Sequence, residues 1–175
     1  MNRQTIDIKN LNMNPVPLWG DRWLLLCAGD FEKGDYNAMT VAWGSVGVMW
    51  HKPFAQVVVR PHRHTYRFIE KYPDWTLSVL PESLKPAMNL MGSRSGRDTD
   101  KIAEAGLTAC PSSAVGAPAF DEAELILECR TIFRDVMKPE SFIDPSLDKN
   151  YPKKDYHVIY YGEILRAAGT DQYSS

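Results

Sequence analysis

Residues 36–66, YNAMTVAWGSVGVMWHKPFAQVVVRPHRHTY, constrain the fold more tightly than any other stretch of the chain. Residues 37–43 (NAMTVAW) alternate small, apolar and hydroxyl side chains as a half-buried strand does, and Gly44 and Gly47 mark places where the backbone bends or lies close to a neighbour. Residues 54–59 (FAQVVV) are β-branched and almost wholly apolar, which predicts a strand buried on most sides. The chemistry then changes within one residue. Arg60, Pro61, His62, Arg63, His64, Thr65 and Tyr66 form a basic, hydroxyl-bearing turn, and Tyr66, Ile69 and Glu70 continue it at helical spacing. A buried strand that delivers cations and hydroxyls to the start of a helix is a candidate anion site, because unpaired N–H groups add to the side-chain charge.

The flanking segments read mostly as strands. Residues 5–8 predict a short first strand, Asn14, Pro15 and Pro17 break any helix or ladder before Trp19, and residues 22–28 (RWLLLCA) form the next strand. An apolar face at Tyr66, Phe68, Ile69 and Tyr72 predicts a helix that Pro73 ends, followed by a strand over 75–80 (WTLSVL). Leu84, Ala87, Met88 and Met91 share one face of a second helix with Gly92 at its C-cap, and Asp98 is read as N-cap of a short third helix running to Gly106. Residues 107–118 read as loop. Residues 124–133 (ELILECRTIF) also fit a helical period, but their β-branched content favours a strand. A polar, proline-broken surface excursion with a helical turn near Pro139 covers 139–154, the last strand covers 156–165 with a bulge at Gly162, and the tail beyond Gly169 is expected to fray.

About seven strands with two or three helices inserted between Thr65 and Gly106 give no repeating βαβ pattern, so a mainly β antiparallel barrel fits and a doubly wound parallel sheet does not. No GxGxxG follows a strand and no GxxxxGK[ST] occurs. At 175 residues the chain suits one domain, residues 1–175, able to bury a core without metal or disulfide staples. The formal net charge of -2 gives no global attraction to nucleic acid or anionic lipid, so any basic site is local. Cys27, Cys110 and Cys129 form no CxxC pair, and no segment approaches a membrane span. Together these features point to a soluble, cytoplasmic protein without a nucleic-acid or membrane partner.

NAMTVAWGSVGVMWHKPFAQVVVRPHRHTY, GSRSGRDTDK and the late YHVIYYGEI together resemble the flavin reductase-like, flavoredoxin-like branch of the FMN-binding split-barrel superfamily, from about Trp23 to Ile164. The resemblance implies an antiparallel Greek-key split barrel, a homodimer, and FMN near the subunit interface. It implies that Asn37, Met39 and Thr40 belong to the family's N-x-M-T strand, with Val41, Ala42 and Trp43 presenting backbone groups to the isoalloxazine. Arg60 and Pro61 match its arginine-proline turn, with His62, Arg63, Thr65 and Tyr66 beside them gripping the FMN phosphate. Ser93, Ser95, Gly96 and Lys101 would close the ribityl-phosphate side, and Trp50 would border the flavin. Many relatives carry serine at the position of His62 and an aromatic at that of His64, which makes direct phosphate contact by these imidazoles less secure and adds pH-dependent binding as an alternative.

Each motif also has a plainer reading. Residues 37–43 alone describe an ordinary half-buried strand, and Arg60, Arg63 and Lys101 alone describe solvated charges. His62, His64 and His157 make three imidazoles on paper, but no carboxylate or cysteine completes a metal set, so no metal is assigned. Cys27 and Cys129 fall in apolar strands as small hydrophobes. No side-chain acid or base is needed for hydride transfer itself, and no catalytic residue is assigned. The resulting expectation is an FMN-binding oxidoreductase that takes hydride from NADH or NADPH and passes electrons to a second acceptor. The alternatives are a flavoredoxin-type FMN electron carrier served by a redox protein partner, and a flavin-free module for another phosphorylated ligand.

Overall fold

A computed structural model describes residues 1–175 and contains ten strands. Eight form one sheet: β1 (Gln4–Ile6), β2 (Leu24–Asp30), β3 (Asp35–Val41), β4 (Gly44–Met49), β5 (Lys52–Val59), β6 (Asp74–Val79), β9 (Leu125–Val136) and β10 (Val158–Gly169). Their order is β3-β2-β6-β9-β10-β5-β4, with β1 added to the far end of β10, and every pairing is antiparallel. The remaining pair, β7 (Ala109–Cys110) and β8 (Ala119–Phe120), makes a small ladder within the segment predicted as loop. The architecture is a split barrel, mainly β with inserted helices.

Two apolar cores explain why some strands alternate and others do not. Leu24, Leu26 and Ala28 of β2 face the barrel core with Trp75, Leu77, Leu127 and Tyr160. The helix α1 (Tyr66–Lys71) adds Phe68 and Ile69 to that core. Leu25 and Cys27 face the second core, where Ala87, Met88 and Met91 of α2 (Lys85–Ser93) cover the outside of the sheet. β2 is therefore buried on both faces, and its run of apolar residues is the sequence trace of that position. β5 is also largely buried, whereas β10 alternates over most of its length.

Several boundaries differ from the sequence reading, each for a local reason. Pro15 starts a helical turn where Asn14, Pro15 and Pro17 were expected to break any helix, since proline at a first helical position gives up no needed N–H, and the turn brings Leu18 and Trp19 into the core. Gly92 lies inside α2, close to the Thr40 side chain, and the helix ends at Ser93. Asp100, not Asp98, caps the short α3 (Lys101–Glu104) by accepting a 3.2 Å bond from the Ala103 N–H. The C-terminal tail is tied down: Tyr173 is buried, the Asn12 N–H donates to its carbonyl at 2.9 Å, and the Ser175 N–H donates to Asn10 O at 3.0 Å.

At Gly162 the β9–β10 register shifts, which is the predicted bulge. A methyl group there would overlap the Trp75 ring and press on Cys129 Cβ, both fully buried. Gly162→Ala is expected to lower unfolding free energy by about 1–3 kcal/mol through overpacking, with an unchanged m value in urea. A loss of less than about 0.5 kcal/mol would mean that the strand shifts freely at this point.

Candidate functional site

β3 ends at Val41 and β4 begins at Gly44, so Ala42 and Trp43 bridge the two outermost strands of the sheet path. This is where the barrel is split. β3 pairs with β2 on one edge only, which leaves backbone N–H and C=O groups on its other edge available to a ligand. A cleft of about 350 Å³ lies along this edge, floored by Met39, Thr40, Val41, Ala42 and Trp43 and walled by Val58, Arg60, His62, Arg63 and His157.

Met39, His62 and Arg63 also line a smaller neighbouring cavity of about 140 Å³. Asn37, Thr65, Ser93, Ser95 and Lys101 contribute to it, as do His64, Arg94 and Arg97. Gly96 packs against this wall so closely that a Cβ would overlap Asn37 Oδ1, and Asn37 Nδ2 in turn donates to Thr65 Oγ1 at 2.6 Å. The turn after β5 and the loop after α2 are thereby fixed to β3. Cation-to-carbonyl bonds stitch the same elements together: Arg63 Nη1 donates to Gly92 O at 3.2 Å, and Arg97 Nη1 and Nη2 reach His62 O at 3.4 Å.

Lys101 is the most unusual of these cations. It is 4% exposed, and its Nζ donates to Met91 O at 2.9 Å and Arg94 O at 3.2 Å. Burial, assisted by Arg63, pulls its pKa down to about 8. Carbonyl acceptors satisfy hydrogen bonds without cancelling charge. Four lysine or arginine side chains and two imidazoles therefore line a small cavity that has no carboxylate in its wall. His64 sits there with its Nδ1 buried and unpartnered, its pKa lowered by burial and then by Arg67 and Arg97.

Arg60 is differently engaged from the sequence expectation. Its Nη1 lies 3.2 Å from Asp155 Oδ2, its Nη2 donates to Asn150 O at 2.8 Å, and its guanidinium stacks 5.0 Å from the centre of the Tyr151 ring. The segment between β9 and β10 is thus more than a surface excursion. It returns to the cleft, buries Tyr151, and delivers Asp155 against both Arg60 and His62.

Trp43 remains 48% exposed, with its ring 5.2 Å from that of His157. Pro61 is exposed beside the cleft, and Tyr66 packs against the barrel core below it. Trp50 lies away from the cleft, at the tip of the β4–β5 hairpin, 5.7 Å from the Phe133 ring. Sequence reasoning missed His157, Asp155, Arg94 and Arg97 as members of the site. The two arginines were visible within SRSGRD as charges near serines, but a lone acid in KKDYH resembles an ordinary solvated charge.

A sequence model of the family described as "Flavin reductase like domain" matches residues 23–173. The chain belongs to the flavin reductase like domain family. Among curated proteins, this family member is 27% identical over 151 residues to an uncharacterized protein of Pyrococcus abyssi (strain GE5 / Orsay), covering 85% of this chain and 73% of that one. Among solved structures, the FMN-binding domain of a flavin reductases-like enzyme from Shewanella baltica OS155 superimposes with a TM-score of 0.68 at 18% identity, covering 96% of this chain and 77% of that chain. Flavoredoxin of Desulfovibrio vulgaris (Miyazaki F) gives a TM-score of 0.66 at 23% identity, covering 85% and 69%. These two structural likenesses establish the shared fold. No helix of this flavin reductase-like chain is long and apolar enough to cross a membrane.

His157 offers a direct check on the cleft's electrostatics. It is buried, its Nδ1 lies 2.8 Å from the Tyr151 hydroxyl, and burial reinforced by Arg60 lowers its pKa to about 4. The unfolded chain, with an ordinary histidine near 6.5, therefore binds more protons than the folded one between these values. Stability is expected to fall as pH drops from about 6.5 towards 4, and His157→Gln should flatten that part of the profile. Thermal melts across this range check it, and an unchanged slope in the variant would mean that His157 is protonated in the folded state.

Proposed function

We propose that the cleft binds FMN and that the protein is an FMN-dependent oxidoreductase, drawing hydride from NADH or NADPH and passing electrons to a second acceptor. The observation that carries this reading is the cavity around Arg63, Arg94, Arg97 and Lys101, cationic and without a carboxylate, which shares Met39, His62 and Arg63 with the larger cleft along the free edge of β3. A phosphate suits the first space, and a planar, amide-bearing ring suits the second. Lys101 and Arg63 hold the phosphate in this assignment, with Ser93, Ser95 and Thr65 supplying hydroxyls and Gly96 permitting close approach. Arg60, paired with Asp155, shapes the cleft's rim instead of meeting the phosphate directly.

FMN, when bound, supplies the hydride-accepting and electron-releasing chemistry. The chain's own contribution is orientation and charge. Backbone groups along β3 and the Ala42–Trp43 bridge orient the polar edge of the ring, and their N–H dipoles favour negative charge there. Trp43 and the neutral His157 narrow the cleft and limit water on that side.

The flavoredoxin likeness supports a second reading, an FMN carrier that receives electrons from a protein partner and has no nicotinamide site. Absorbance spectra separate the readings after FMN is added, the protein is desalted, and NADH or NADPH is supplied anaerobically. Bleaching by either nucleotide supports the reductase, whereas bands that bleach only with dithionite support the carrier. Failure to bind FMN, by both desalting and fluorescence titration, would leave a flavin-free phosphate module.

Lys101→Met is expected to weaken FMN binding by roughly ten- to a hundred-fold, from loss of a charged hydrogen bond of about 1.5–3 kcal/mol. Because the Lys101 pKa lies at about 8, wild-type affinity should also fall as pH rises through that value, when the ammonium loses its charge. The variant should lack this dependence. Fluorescence titrations from pH 7 to 9 check both points, and equal affinities would remove Lys101 from the phosphate site.

A further inference from the structure

We propose that His62, held by Asp155, is the proton-transfer residue of this cleft, and that the second acceptor is a two-electron organic molecule that takes up a proton on reduction, for which a quinone is the probe. The proposal rests on the flavin reading above and names the substrate class of the same site. Its basis is a histidine–carboxylate pair at the cleft wall: His62 Nδ1 lies 2.8 Å from Asp155 Oδ2. The two side chains differ in exposure in the sense that such a pair requires. Asp155 is anchored at 17% exposure, with Arg60 Nη1 3.2 Å from the same oxygen, while His62 is 54% exposed and lines both the cleft and the cationic cavity. The carboxylate fixes the ring through Nδ1, which leaves Nε2 without a protein hydrogen-bond partner and able to exchange protons with a bound molecule or with solvent.

Arg60, Arg63 and His157 line the cleft with His62, and Arg97 reaches the His62 backbone carbonyl. Asp155 is the one carboxylate in contact with the ring.

The nature of the acceptor follows from what such a group can do. An acceptor that takes single electrons onto a metal centre consumes no proton, and the pair would have no part in its reduction. A quinone that receives a hydride, two electrons and one proton, is left as a hydroquinone anion. One further proton completes the neutral hydroquinone. In the proposed step the cationic His62 donates that proton from Nε2: the N–H bond breaks, an O–H bond forms on the product, and the ring becomes neutral. Solvent then returns a proton to Nε2. The reduced cofactor is oxidised, the quinone is reduced, and atoms and electrons balance.

The test compares wild type, His62→Gln and Asp155→Ala, each loaded with FMN and reduced with dithionite, then mixed in stopped flow with benzoquinone or with ferricyanide, which takes electrons without protons. His62→Gln is expected to slow the quinone reaction by roughly a hundred-fold and the ferricyanide reaction by less than about tenfold, with added imidazole restoring the quinone rate. Equal slowing with both acceptors, or none with quinone, overturns the proposal. Nitrogen-15 NMR of the FMN-free protein reads the pair independently of turnover: neutral His62 should carry its proton on Nδ1, and Asp155→Ala should move it to Nε2. A wild-type ring already protonated on Nε2 would show that Asp155 does not orient it, and would also overturn the proposal. Fluorescence titration with FMN keeps the two layers apart. Absence of FMN binding by wild type defeats the flavin reading itself, whereas normal binding with acceptor-independent rates defeats this step alone.

Discussion

The pairing of β9 with β10 is the constraint on which the rest of the structure depends. In the strand path it is the single link between the β3-β2-β6-β9 half and the β10-β5-β4 half, and β10 also carries β1 on its opposite edge. Both strands are twelve residues long, and their register shifts at Gly162, where the absence of a side chain leaves room for the Trp75 ring. Once this ladder forms, β3 and β4 become the free ends of the path, joined only by Ala42 and Trp43. The cleft is thus a direct product of topology: a barrel closed on one side and split on the other leaves a strand edge with hydrogen-bonding groups to offer.

Charge is distributed on that frame in two distinct ways. Around Arg60 the cation is balanced by Asp155 and covered by Tyr151, which makes a structural corner. Around Lys101 the hydrogen bonds go to carbonyls and the charge stays uncompensated, which suits the phosphate site proposed above. Lys101 costs stability where it sits, since burial disfavours an ammonium, and the acceptors at the end of α2 offset only part of that cost. Such an arrangement is understandable where a bound phosphate supplies the missing charge.

Much of this was legible in the sequence because it depends on local pattern. FAQVVV was expected to be buried, NAMTVAW to alternate as a half-buried strand, and Gly162 to interrupt a strand; all three follow from residue type and period. Asn37 and Met39 share one cavity wall with Ser93, Ser95 and Lys101. Contacts made by polar residues distant in sequence were not legible. Asp155 and Arg60 are ninety-five positions apart, and nothing in either segment specifies the other. The same holds for the tail, whose ordering depends on Tyr173 reaching the barrel core, and for α3, where two acids two residues apart were equally good caps until the backbone chose Asp100. Trp50 was assigned by its neighbours in the chain, but a hairpin tip extends away from the sheet edge on which the cleft lies.

The excursion between β9 and β10 has a consequence for how this architecture diversifies. Its neck is closed by the Met137 N–H donating to His157 O at 2.9 Å, so the barrel is complete on one side of that bond and the residues from Lys138 to Tyr156 form a cassette on the other. Mutations can accumulate in such a cassette without unpicking the ladder that positions β3. Since the cassette carries Asp155 while the cationic cavity is built from other segments, inheritance of the anion-binding chemistry and invention of new chemistry at the rim are separable events in the history of a chain like this one.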